Sequence, residues 1–190
     1  MVVPLAPGFV VSDTTTYYRT NYLNWMAMNN FRFAKGKIDH IAIAVRDIES
    51  AINLYQQVFG FELMLRREIH GKFSGMLSAE LNAGDFSIVL VQGTDPESQV
   101  SRYIDEYGPG VQHVAVSVED IDATASALTV SGAQFATNII EGDGLRQIFT
   151  KRDSNTGMMF EFIERKQNVK GFQKNNIQKL FDQLESSSAY

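Results

Sequence analysis

The chain has 190 residues, enough for one substantial core or two small modules that share one. Its 44% hydrophobic and 21% charged residues are ordinary for a globular protein, and its longest apolar runs, Ile41 to Val45 and Ser87 to Val91, fall far short of a bilayer span. A net charge of −5 without a clustered Lys/Arg stretch argues against nucleic-acid or anionic-membrane partners, and the lack of cysteine excludes disulfides and thiolate ligands.

No basic-then-apolar stretch opens the chain, so a cytoplasmic protein with a small-molecule partner is expected. Residues 1–36 are rich in aromatics (Tyr17, Tyr18, Tyr22, Trp25, Phe31, Phe33) and are expected to form an ordered arm or an oligomer contact. Next comes an internal repeat. The run from His40 to Glu49, His-Ile-Ala-Ile-Ala-Val-Arg-Asp-Ile-Glu, is answered 73 residues later by His113 to Asp122, His-Val-Ala-Val-Ser-Val-Glu-Asp-Ile-Asp. Each copy opens as a strand with His40, Ala42 and Ala44, or His113, Ala115 and Ser117, on one face. Asp47 and Asp120 then suit helix N-caps. The first helix follows the 3.6-residue period through Ile48, Ala51, Ile52, Tyr55, Val58 and Phe59, and ends at Gly60. The second carries Ile121, Ala125 and Leu128 on one face, with Gly132 beyond.

Three extended runs follow each helix. They are expected around Glu62–Glu68, Gly75–Asn82 and Ser87–Gln92, then around Gln134–Ile139, Arg146–Lys151 and Met158–Glu164. The fold class is therefore α+β, with two βαβββ modules over residues 37–170 forming one open curved barrel. Residues 171–190 are expected to supply a lid helix, striped by Ile177, Leu180, Phe181 and Leu184 after a cap at Asn175, and a tail.

His40 and His113 hold equivalent positions on equivalent strands, so a pseudo-twofold barrel would aim both imidazoles at one point, within the ~2.0–2.2 Å reach of a shared metal. Two histidines satisfied by backbone groups remain the alternative. Glu161 shares a face with Met159 and Ile163 inside an apolar strand, where a carboxylate is costly unless paired or metal-bound. Glu164 reads as a solvated strand-end charge, and His70 as exposed. Counting back 73 residues from Glu161 reaches Ile88, so no fourth protein ligand is expected. Two histidines and one carboxylate leave about three coordination positions open, the pattern typical of non-haem Fe(II) oxygenases.

These motifs resemble the vicinal-oxygen-chelate (glyoxalase/bleomycin resistance/dioxygenase) superfamily, and more narrowly the catalytic C-terminal half of the 4-hydroxyphenylpyruvate dioxygenases. The resemblance runs from about Lys37 to Glu185. It rests on Asp39-His-Ile-Ala, Gly108-Pro-Gly-Val-Gln-His-Val-Ala, Leu145-Arg-Gln-Ile-Phe-Thr-Lys, Phe160-Glu-Phe-Ile-Glu-Arg and Gly171-Phe leading to Asn176. It implies an Fe(II) enzyme that takes a 2-oxo acid and O2, decarboxylating and hydroxylating the acid. It also implies that Gln147 and Phe149 serve catalysis and that Ser78, Gln99, Gln112, Phe172, Asn176 and Ile177 bind substrate. Family members carry a further degenerate barrel copy, so a homodimer or higher homo-oligomer is expected to replace its support. The family's Gly-Phe-Gly-x-Gly-Asn-Phe stretch is Gly171-Phe-Gln-Lys-Asn-Asn-Ile177 here, so Ile177 stands where a phenylalanine would stack on an aryl ring. Other readings are an extradiol dioxygenase or isomerase with the same ligands, and a non-catalytic ligand-binding barrel.

Overall fold

The structure, a computed structural model, describes residues 36–142, 144–166, 177–181 and 183. The expected aromatic arm, Phe172, Asn175, Asn176, Leu184 and the tail lie outside these residues. Eight strands form one sheet: β1 (Lys37–Ala44), β2 (Glu62–His70), β3 (Gly75–Asn82), β4 (Ser87–Gly93), β5 (Gly110–Ser117), β6 (Ile140–Gly142), β7 (Leu145–Phe149) and β8 (Met159–Arg165). Their order is β2-β3-β4-β1-β5-β8-β7-β6. Each module is thus a four-stranded βαβββ unit, and the two join where β1 pairs antiparallel with β5.

Three helices lie between strands: α1 (Ile48–Asn53), α2 (Gln99–Tyr107) and α3 (Ile121–Val130). Asp47 accepts from the Ser50 amide at 2.7 Å and Asp120 from the Ala123 amide at 2.9 Å, so both N-caps form as the sequence indicates. α1 widens into a π-helical turn over Leu54–Val58, where the Phe59 amide reaches back five residues to the Leu54 carbonyl, and Gly60 leaves it with φ +73°.

Alternation along the strands sorts side chains onto two faces. Ile88, Leu90, Ala79 and Leu81 pack under α1, and Ile148 and Phe162 pack under Ile121 of α3. The opposite, inner face gathers Ala42, Ala44, Ile69, Met76, Val89 and Val91 with Val100, Tyr103 and Ile104 of α2. Residues 177–181 and 183 are helical and bridge both modules on that inner side. Ile177 and Phe181 join the inner cluster of the first module, while Leu180 packs on Phe149 and Met159 of the second. Among the described residues no helix is long and apolar enough to cross a membrane.

Four local expectations change. The strand expected over Gln134–Ile139 is instead a single bridge, Phe135 with Thr150, and the ladder partner of β7 is Ile140–Gly142. The Thr137 hydroxyl takes the Phe149 amide at 3.1 Å, so a side chain replaces the backbone acceptor a regular ladder needs there. α2 was not anticipated, although Val100, Tyr103, Ile104 and Tyr107 follow Ser98, whose hydroxyl accepts from the Val100 amide at 3.3 Å. Glu164 is not merely a solvated charge: it accepts from the Ile121 amide at 2.9 Å, as Gln92 does from Ile48 at 2.7 Å. Finally, the repeat offset slips from 73 to 72 by the last strand of each module. Ala42 pairs with Val89 as Ala115 pairs with Glu161, so the counterpart of Glu161 is Val89, not Ile88. A one-residue difference in the connecting turns changes which side chain faces inward.

Candidate metal centre

His40 of β1, Ala115 of β5, Glu161 of β8 and Phe149 of β7 are consecutive cross-strand partners, and His113 lies opposite Ala42 in the next row. Inward alternation therefore brings three donors to one point across the seam between the modules. His40 Nε2 lies 3.1 Å from His113 Nε2 and 3.1 Å from Glu161 Oε2, and His113 Nε2 lies 3.6 Å from the same oxygen. Donors bound to one cation at ~2.1 Å with angles of 90–110° sit about 3.0–3.4 Å apart, so His40 meets both partners at the spacing of a metal's ligand triangle, and the 3.6 Å between His113 and Glu161 is slightly wider. Glu161 is 1% exposed, and its Oε1 has no hydrogen-bond partner among the described residues. A buried carboxylate oxygen without a partner is what an absent cation leaves behind. The residues fit a divalent metal.

The outer contacts agree with that fit. His40 Nδ1 lies 3.0 Å from Asp39 Oδ1, and Arg165 donates to Asp39 through Nε at 2.7 Å and Nη2 at 2.9 Å. His113 Nδ1 lies 2.7 Å from Gln112 Oε1. With both Nδ1 protons engaged, the Nε2 lone pairs point at the shared centre. Burial opposes a charge on His40, but the Glu161 and Asp39 carboxylates outweigh it and raise its pKa to about 9. Burial, then the charges of His40 and Arg152, push His113 well below its usual value. Burial works against ionised Asp39, yet Arg165 and His40 hold it well below the usual carboxylate range. In the metal-free centre these shifts favour one additional proton on His40 while His113 stays neutral, and a cation bound by both Nε2 atoms would displace that proton.

The other expected site residues are distributed as follows. Phe149 sets its ring edge-on to His113, with centroids 5.2 Å apart. Gln147, buried, is two residues along the same face, opposite Ile163. Gln112 is buried and orients His113. Ser78 is buried on the inner face of β3, opposite Arg67 and Val91, two strands away from β1. Gln99 is buried as the first residue of α2. Ile177 borders a cavity of about 350 Å³ shared with Leu65, Arg67, Ile69 and Gln178. His70 is exposed as expected. Sequence reasoning missed Arg165 and the ion pair of Arg67 with Glu80, which meet at 3.2 Å with both side chains about nine-tenths buried. The signal for Arg165 was its spacing four residues after Glu161 in one strand, which puts both on one face.

Residues 39–150, more than half of the chain, match the family model described as the Glyoxalase/Bleomycin resistance protein/Dioxygenase superfamily. A 4-hydroxyphenylpyruvate dioxygenase of Pseudomonas aeruginosa is 30% identical, aligned over 78% of this chain and 51% of its own length. Protein MelA of Shewanella colwelliana is 31% identical over 78% of this chain and 53% of its own. The chain thus spans about half the length of the curated relatives it matches. A mutant of 4-hydroxymandelate synthase from Streptomyces coelicolor shares the fold with a TM-score of 0.72, at 23% identity, over 80% of this chain and 54% of that one. Methylmalonyl-CoA epimerase from Mycobacterium tuberculosis matches with a TM-score of 0.59 at 26% identity, over 74% of this chain and 95% of that one.

Proposed function

The chain belongs to the glyoxalase/bleomycin resistance protein/dioxygenase superfamily, and on that premise we propose that it is a non-haem Fe(II) dioxygenase that oxidatively decarboxylates and hydroxylates a 2-oxo acid. The observation that carries the reading is the three-donor centre, His40, His113 and Glu161, with apolar Val89 where the pseudo-twofold would supply a fourth donor. Three protein ligands on one side leave room for a bidentate substrate and for oxygen. A ferrous ion held there would supply Lewis acidity toward the substrate's keto and carboxylate oxygens and a redox-active centre for dioxygen, whose reduction draws its electrons from decarboxylation and hydroxylation of the acid itself. Asp39 and Gln112 fix the imidazoles, and Arg165 fixes Asp39. Phe149, Leu180, Ile177 and Phe181 wall the inner side with apolar surface that excludes water. On this reading Gln147 hydrogen-bonds the bound acid and Ser78, Gln99 and Ile177 line the substrate pocket, a role that the resemblance also assigns to Phe172 and Asn176, which lie outside the described residues. The named dioxygenase relatives support this choice of chemistry.

On this reading the enzyme is cytoplasmic and homo-oligomeric, and light scattering of the purified chain tests the second part. The activity is tested by anaerobic Fe(II) reconstitution followed by oxygen uptake and CO2 release with a panel of 2-oxo acids. Turnover with at least one acid, dependent on iron, is expected; no metal-dependent consumption with any of them rejects the assignment. A second reading, an oxygen-independent isomerase, draws on the epimerase likeness. Val89 weighs against it, because such a site would use a fourth donor in that place. Proton exchange at a substrate carbon without oxygen would favour it.

A further inference from the structure

Away from the three-donor centre, the described residues hold one half-buried cation without an acid in ion-pair contact. Arg152 lies in the loop between β7 and β8. Its guanidinium carbon sits 4.8 Å from the ring centroid of Tyr103 and 5.8 Å from that of Tyr107, both on α2, and Nη1 donates to the Gly157 carbonyl at 2.6 Å. Burial works against its charge, and the acid that acts on it, exposed Glu106, does so from beyond ion-pair distance. Two tyrosine faces and one carbonyl hold the guanidinium without neutralising it. The loop is pressed onto α2 at Gly157, which has φ +68° and where a Cβ would come within 2.6 Å of the Tyr107 ring. Arg152 is therefore fixed in place rather than free to swing into solvent.

Two short connections lead from that place to the metal centre. The Tyr103 hydroxyl donates to the Val111 carbonyl at 2.8 Å, two residues before His113. Phe149, three residues before Arg152, carries the ring that rests on His113. With Nη1 on the Gly157 carbonyl, Nε and Nη2 have no acceptor among the described residues and keep in-plane donors that suit a carboxylate.

We propose that Arg152 is a second anion subsite of the chamber and takes a distal carboxylate, which makes the substrate a dicarboxylic 2-oxo acid. The near end of that substrate rests on the 2-oxo-acid reading above; the anion subsite itself does not. The first test uses Ni(II)-loaded protein without oxygen and measures binding of 2-oxoglutarate and 2-oxopentanoate by calorimetry. The wild type is expected to bind the diacid about tenfold tighter or more. Arg152→Gln is expected to remove that preference with the monoacid affinity unchanged, and Arg152→Lys to keep part of it. An unchanged ratio in Arg152→Gln overturns the proposal. Should that variant not fold, an unchanged ratio in Arg152→Lys does so. The second test uses metal-free protein and millimolar sulfate against chloride at equal ionic strength. The thermal midpoint of the wild type is expected to rise more than that of Arg152→Gln, and equal responses overturn the subsite. If neither keto acid binds while the sulfate response depends on Arg152, the dioxygenase reading falls and the anion subsite stands.

Discussion

Val89 and Ile88 separate the two registers by experiment. Val89 faces inward at the mirror position of Glu161, whereas Ile88 packs outward under α1; they are 8% and 6% exposed. In metal-free protein, Val89→Glu and Ile88→Glu each bury an uncompensated carboxylate and cost about 3–5 kcal/mol. For a chain of this size that lowers the thermal midpoint by roughly 6–20 °C, at about 2–4 °C per kcal/mol. Adding Ni(II) or Zn(II) divides the two variants. In Val89→Glu the new carboxylate reaches the cation as a fourth ligand, so affinity rises about tenfold or more, equivalent to about 1.4 kcal/mol. Metal at a thousand times its dissociation constant then returns about 4 kcal/mol and recovers most of the lost midpoint. Ile88→Glu binds metal no better than the wild type. Competition against a chromophoric chelator gives the affinities, and calorimetric melts with and without metal give the stabilities. Enhanced affinity in Ile88→Glu instead, or none in Val89→Glu, would refute the pseudo-symmetric placement of the centre.

Three further outcomes follow from the same geometry. His40→Ala strands the Glu161 carboxylate, so it is expected to destabilise the metal-free protein by about 3–5 kcal/mol, whereas His40→Ala with Glu161→Gln recovers part of that loss in denaturant melts. His40 has a folded pKa of about 9, above its unfolded value near 6.5, so its contribution to metal-free stability is complete below about pH 6.5 and is lost as pH rises through 9. Metal uptake must then release a proton at pH 7 and tighten with rising pH; uptake without proton release, read by a weakly buffered indicator, would contradict this. Ile177→Phe adds an aromatic wall to its cavity and is expected to shift preference toward aryl 2-oxo acids by about 2–10-fold in kcat/KM, matching a stacking gain of about 0.5–1.5 kcal/mol. Unchanged relative specificity would put Ile177 outside the substrate's reach.

The sequence was most informative where strand alternation and the repeat act together. His40 and His113 announce themselves as a pair because each begins the same pattern of alternating small and branched residues, and the Asp47 and Asp120 caps follow in register. Glu161 was legible as a charge in a strand where charge is costly. Local pattern could not reveal that the repeat loses one residue before its final strand, because either register puts an apolar residue opposite Glu161. α2 was overlooked because it lies between the copies, where the repeat gives no template, although its own apolar period was readable. Arg165, Glu80 and Arg67 escaped notice for another reason. Their partners come from different strands, and only the sheet order makes an isolated charge into half of a buried pair.

The joint between the modules has its own consequence. β1 and β5 meet through a ladder interrupted between Ile38 and His40 and again between Ala42 and Ile43. The imidazoles from either side of this imperfect ladder share whatever cation binds. A bound ion therefore acts as a rivet: it can seat fully only when both halves have docked in correct register. Metal capture during refolding would report assembly of the barrel rather than the folding of either half. Hydrogen exchange at the Ala42 and Ala115 amides, followed with and without zinc, would show how tightly that rivet closes the joint.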